Sequence, residues 1–396
     1  MSEDFERYLE ELMSDPITRR RLLRQGSAGA LSASAIAYLA ACGDTGGGKK
    51  QTKVIPKGQI SKTLYFANWP DYIDPKKSSL GEFKKRYGTS IKYVEEVNDN
   101  DQFFGKVRQQ YARGDSGGRD LHVVTDWMAQ RMQRLGYVQK LDKSQLPNVQ
   151  KNLLDALRHP GYDKNRDFSI PWQGIFAGII YRKDKVKRTP HSVNDVFDPA
   201  YKGKVTMLTE MRDTVGLVML GMGEDPATFK GVDPALKAIE KIDKAAKSGQ
   251  VRRFTGNEYI EQIPKGDSWI IYGWSGDAVQ LQADNPNIRF VAPEEGYTLS
   301  YDNMQVPVGA PHAFTAEKYI DFVYRPEIQA PLAAYINYIT PVKGVKEIFA
   351  KKYPKLASSQ LIFPSDETLK RATVFRDLKP DEERTINEAF QKVIGA

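Results

Sequence analysis

Thr63-Leu64-Tyr65-Phe66-Ala67, running on into Asn68-Trp69-Pro70-Asp71-Tyr72, is the stretch on which the fold turns. Its first five residues are a short β-branched and aromatic run, the pattern of a strand. Similar runs follow at Ser90 to Glu95, Leu121 to Val124, Phe176 to Tyr181, Val205 to Leu208 and Ser268 to Tyr272. Helical patterns lie between them. Over Asn100 to Arg113, Phe103, Phe104, Val107 and Tyr111 share one helical face and Gly114 closes it. Asp233-Pro234 has N-cap and first-turn chemistry for a helix reaching about Ser248. Strands alternating with helices predict an α/β chain whose sheets are covered by helices.

At 396 residues the chain exceeds one ordinary domain, and two lobes are the natural expectation. The four histidines, His122, His159, His191 and His312, lie far apart, and Cys42 is the sole cysteine. No sequence-local metal cluster or disulfide framework can be written from these, and no cofactor is expected. The net charge is +8, but the lysines are scattered among acids, as in Lys183, Asp184, Lys185 and Lys187. That pattern reads as solvated surface and not as a nucleic-acid patch. No glycine-rich phosphate loop follows any strand, and no repeat is visible. Gly273-Trp274-Ser275-Gly276 invites comparison with a serine-hydrolase elbow, but Asp277 stands where that motif needs glycine.

The first residues say where the chain works. Thr18-Arg19-Arg20-Arg21-Leu22-Leu23-Arg24 precedes a mildly apolar stretch from Gly26 to Ala41 and resembles a twin-arginine export signal. Leu39-Ala40-Ala41-Cys42-Gly43 looks like a lipobox, which assigns Cys42 to lipidation. Residues 1–41 are therefore read as a signal peptide and 42–61 as the lipidated cysteine with its tether, so the protein is expected outside the cytoplasm, anchored to the membrane.

Farther along, spaced motifs accumulate: Tyr65 to Tyr72, Asp120 to Trp127, Ser169-Ile170-Pro171-Trp172, Phe197 to Val205, Trp274-Ser275-Gly276-Asp277-Ala278, Glu294-Glu295-Gly296 and Tyr338-Ile339-Thr340-Pro341. In order and spacing they resemble the bacterial spermidine/putrescine-binding proteins of ABC transporters, over nearly all of Lys62 to Ala396. The resemblance implies a two-lobed type II periplasmic-binding-protein fold with the ligand in the cleft between lobes, a permease as partner, and a monomer. It places lobe 1 at 62–173 with 302–340, and lobe 2 at 174–301 with 341–396. The chain would cross first near Trp172 to Phe176 and return near Leu299 to Asp302.

A polyamine carries ammonium groups on a methylene chain, so its site needs spaced acids with flat apolar surface between them. Aromatic faces cover methylenes and attract the cations, while carboxylates give charge-assisted hydrogen bonds. By the resemblance Trp69, Tyr72, Trp127, Trp274 and Tyr338 fall at pocket positions, Asp71, Glu210, Asp213 and Asp302 supply acids, and Thr125 adds a hydroxyl. Read residue by residue, Asp213 is equally suited to cap a helix beginning at Thr214, and Glu210 to pair with Arg212 as a surface acid. Pro70, Ser300 and Arg376 depart from the family pattern. An inward Arg376 would favour an anionic solute, such as an amino-acid-like, opine or phosphonate compound, whereas an Arg376 paired with Asp377 would not. Tyr335 and Tyr338 raise an iron-receptor reading, the acids Glu294-Glu295 a lipid-anchored enzyme, and a structural surface protein is the remaining alternative.

Overall fold

The computed structural model describes residues 57–74 and 78–395. The export signal, Cys42 and most of the tether lie outside the described residues. Ten strands form one mixed sheet, ordered β2 (Ser90–Glu95), β1 (Thr63–Asn68), β3 (Leu121–Thr125), β9 (Tyr297–Gln305), β4 (Ile170–Arg182), β7 (Ile270–Trp274), β5 (Val205–Leu208) and β6 (Val251–Thr255). Two short strands hang on this row: β8 (Ile288–Val291) beside β4, and β10 (Ala372–Thr373) beside β9.

The pairings divide the sheet into two parallel groups. β1 runs parallel to β2 and β3, and β5 runs parallel to β6 and β7. Between them stand β4 and β9, antiparallel to each other and each antiparallel to its outer neighbour. All thirteen residues of β4 are buried. The two expected crossings lie side by side: Gln173 opposes Asp302, Gly174 opposes Tyr301 and Ile175 opposes Ser300, next to a register shift between Pro171 and Gln173. The boundaries read at 173/174 and 301/302 thus fall on directly paired residues. The segment after 340 differs from the expectation. Leu154 N donates to the Pro341 carbonyl and Lys343 N to that of Asn152, so the chain after 340 first continues along the β3 half.

Local sequence explains the elements. In the helix Asn100–Tyr111, Asp99 caps the first turn and Phe103, Val107 and Tyr111 face the core, while Phe104 is only half-buried. In the helix Asp233–Lys247, Ala235, Ala238, Ile239, Ile242 and Ala245 are buried at helical spacing. Here Asp233 is the first helical residue and Val232 the cap, one position earlier than the sequence suggests. Phe66 sits at the centre of the β1 side, its ring 5.8 Å from Trp172 and 5.4 Å from Tyr319. The Phe66–Trp172 pair is edge-on, an arrangement that adds about 0.5–1.5 kcal/mol beyond area burial, and Tyr319 is tilted against Phe66.

Candidate functional site

In an open α/β sheet the carboxyl ends of parallel strands leave a crevice for ligands. Here the ends of β1, β3, β5 and β7 converge on one. β1 delivers Trp69, Pro70, Asp71 and Tyr72 through a turn in which Asp71 has φ of 55°, a left-handed conformation uncommon outside glycine. β3 ends on Thr125, β7 ends on Trp274, and after β5 the chain enters the helix Met211–Leu220 with Glu210 as its cap. The Glu210 carboxylate accepts from Arg212 N, so Glu210 and not Asp213 caps this helix, which starts at Met211 and not at Thr214. Asp213 lies in the first turn, where the positive helix end favours an acid.

These side chains line a cavity of about 40 Å³ together with Asp302, Tyr338, Ile175, Asn257, Asp277 and Ser300. Among the described residues, its lining contains the carboxylates Asp71, Glu210, Asp213, Asp277 and Asp302 and no lysine or arginine. Hydrogen bonds hold them from both halves of the sheet. Asn100 Nδ2 donates to Thr125 Oγ1 at 2.8 Å and to Glu210 at 3.0 Å, and Thr125 Oγ1 donates to Asp302 at 2.8 Å. The antiparallel pairing of Thr125 with Asp302 fixes that last contact. Trp274 Nε1 and Thr298 Oγ1 donate to the two oxygens of Asp213 at 2.8 and 2.7 Å. Asp277 accepts from the hydroxyls of Tyr259 and Tyr338.

Burial dominates the electrostatics, and Arg212 is a nearby cation that partly offsets it at Glu210 and Asp213. Burial pushes the Asp302 carboxyl up to about 7 against the hydrogen bond from Thr125. Burial, then the neighbouring Asp213, raises Glu210 well above the usual carboxylate range. Asp213 is raised by burial despite its donors. Groups poised this way gain by meeting a cation.

A second cavity, of about 20 Å³, shares Thr125, Glu210, Asp213 and Ser300 with the first and reaches Asp126, Trp127 and Arg212. Of the residues singled out in the sequence, Trp69, Asp71, Tyr72, Thr125, Glu210, Asp213, Trp274, Asp302 and Tyr338 meet at the first cavity, and Trp127 at the second. Arg376 lines neither. Its guanidinium pairs with Glu382 at 2.9 Å, donates to the Gly231 carbonyl, and stacks 4.1 Å over Phe229. The expected alternatives were the cleft or the Asp377 carboxylate; Arg376 reaches only the Asp377 carbonyl. Glu210 is buried and bonded to Asn100, not a surface acid. Of the adjacent acids Glu294 and Glu295, the latter caps a turn at Ser192 and Val193.

Sequence reading missed Asn100, Ile175, Asn257 and Asp277. Asp277 carried a signal, since it lies three residues after Trp274 in the first turn of the helix Ser275–Asp284, within a motif of the resemblance, but it was not assigned to the pocket. Gly276 beside it allows a close approach: a Cβ there would stand 2.7 Å from the Tyr338 ring.

Residues 80–358 match the model of the bacterial extracellular solute-binding protein family. A spermidine/putrescine-binding periplasmic protein of Escherichia coli K12 is 28% identical over 316 residues, covering 78% of this chain and 85% of that one. A putrescine/cadaverine-binding protein of Pseudomonas aeruginosa is 25% identical over 353 residues, covering 84% of this chain and 94% of that one. Among solved structures, a spermidine/putrescine ABC transporter substrate-binding protein of Streptococcus pneumoniae superposes with a TM-score of 0.69 at 24% identity, covering 84% of this chain and 98% of that one. A Treponema pallidum lipoprotein gives 0.70 at 20% identity, covering 84% and 100%. The fold is that of the type II periplasmic binding proteins, and the chain belongs to the bacterial extracellular solute-binding protein family.

Proposed function

We propose that this chain is the lipid-anchored, extracytoplasmic receptor of an ABC importer, and that it binds a polyamine in the cavity between its two halves and hands it to the permease. The observation that carries this reading is one cavity lined, among the described residues, by five carboxylates and by no lysine or arginine, between the rings of Trp69, Tyr72, Trp274 and Tyr338. The carboxylates take the ammonium groups and the rings cover the methylenes. Asp71 and Asp302 come from the β1–β3 side and Glu210, Asp213 and Asp277 from the β7–β5 side, so a bound cation chain links the halves. Closure then follows from binding, with the hinge at the paired residues 173–174 and 301–302. Such a protein binds stoichiometrically and turns nothing over. The anionic-solute reading depended on an inward Arg376, and Arg376 is bound to Glu382 instead.

Calorimetric titration of the purified protein with putrescine and spermidine tests the proposal. Saturable one-to-one binding, weakened by about tenfold or more in Asp302→Asn, is expected. Absence of binding by any polyamine derivative would sink the reading while leaving the fold untouched.

A further inference from the structure

The second cavity has its own chemistry. Ser300, on β9, borders both cavities with a short side chain where they adjoin. Beyond it two buried N–H donors have no hydrogen-bond partner among the described residues: Arg212 Nη1 and Trp127 Nε1, on side chains that are 8% and 7% exposed. The Arg212 guanidinium lies 3.9 Å over the Trp127 ring, so both belong to one wall. A buried donor left unsatisfied is destabilising, so two in one cavity point to an acceptor that completes them.

The charge of the chamber decides what kind of acceptor. Arg212 already matches Glu383 through Nη2 at 2.9 Å, and Asp126, Glu210 and Asp213 all line the same space. A carboxylate placed there would face three acids, whereas a neutral oxygen meets the donors without that repulsion. Leu299 and Phe375 add apolar wall for a small alkyl group. We propose, resting on the polyamine reading, that the adjoining cavities together hold a mono-N-acylated polyamine. The free ammonium sits among the acids of the first cavity, and the acyl carbonyl passes Ser300 to accept from Arg212 and Trp127.

The test compares putrescine, N-acetylputrescine and 4-aminobutyrate on the full chain by calorimetry, using the ratio of affinities as the readout. The wild type should bind N-acetylputrescine about tenfold or more tighter than putrescine. Ser300→Trp, which fills the junction, should lower that ratio by about tenfold, and so should Arg212→Met. Arg212→Met also removes a partner of Glu383, so Ser300→Trp decides the matter if that variant does not fold. Putrescine binding as tightly as its acetyl derivative, or a preference that survives Ser300→Trp, would overturn the inference and leave the polyamine reading intact. Tightest binding of 4-aminobutyrate would replace the neutral end with an anionic one. No binding of either amine would overturn the polyamine reading itself.

Discussion

At the scale of single residues, the site works through carboxylates that burial keeps from ionising freely. Asp302, held up to about 7, retains its proton in the ligand-free fold over a range where the unfolded chain, with an aspartate near 4, has lost it. The folded state therefore binds more protons between those values. The stability this contributes is complete below about pH 4, declines as pH rises, and is gone above about 7. Glu210 and Asp213, also raised, act with the same sign. The melting temperature of ligand-free protein should fall between pH 5 and 8, and Asp302→Asn should flatten that fall, by a few kcal/mol at most. An unaltered slope in the variant would remove Asp302 as its source. Polyamine affinity should rise over the same interval, with proton release detectable by calorimetry in buffers of different ionisation heat. A second residue-scale prediction concerns packing. Gly276→Ala places a methyl against the Tyr338 ring, so Tyr338 must move off Asp277, and polyamine affinity should drop by about tenfold with little loss of helix.

At the scale of elements, strands with short apolar runs were legible, while the two central antiparallel strands, β4 and β9, were not read in full. β2 and β5 match their sequence runs, and β1 and β3 each gain one residue. β4 was read only as 176–181, because Pro171 near its start signals against a strand, yet it begins at Ile170. β9 was not read as a strand, because Asp302, Asn303 and Gln305 interrupt its apolar pattern. Their partners are distant in sequence: Thr125 Oγ1 donates to Asp302 at 2.8 Å, Arg166 Nη1 donates to Asn303 at 3.0 Å, and Gln305 Nε2 donates to the Ala129 carbonyl at 3.2 Å. Asp277 was hidden for the same reason, since its partners Tyr259 and Tyr338 are far away in sequence. The family motifs supplied most of the cavity, while Asn100, on no motif, ties it together. One further contact links the elements of the two halves. Glu383, in the helix Pro380–Ile394, meets Arg131 at 3.1 Å and Arg134 at 2.9 Å from the β3 side, and Arg212 at 2.9 Å from the β5 side. Burial would raise this carboxyl, but Arg131 and Arg212 outweigh it and hold it below the usual range. Glu383→Gln should destabilise the protein by about 3 kcal/mol, read as a lower melting temperature, because three guanidinium groups lose their shared charge. A change within a degree would mean that solvent already satisfies them.

At the scale of the whole molecule, charge is distributed with opposite signs inside and out. The chain carries +8, while the first cavity is lined, among the described residues, by five carboxylates and no cationic side chain. An approaching polycation meets these two fields in sequence. At roughly 0.01 M salt the Debye length is about 30 Å, so it senses the net positive molecule before the cavity. Near 0.15 M the length shrinks to about 8 Å, and the far repulsion is screened while the enclosed carboxylates keep their hold. Association should therefore speed up by a few-fold as salt rises between these limits, opposite to the slowing expected where long-range steering attracts the ligand. Dissociation, governed by buried contacts, should change less. Stopped-flow fluorescence is suited to the measurement, since Trp69 and Trp274 line the cavity. A rate that falls with added salt would mean that the cavity field reaches beyond the surface lysines and governs the encounter at every ionic strength.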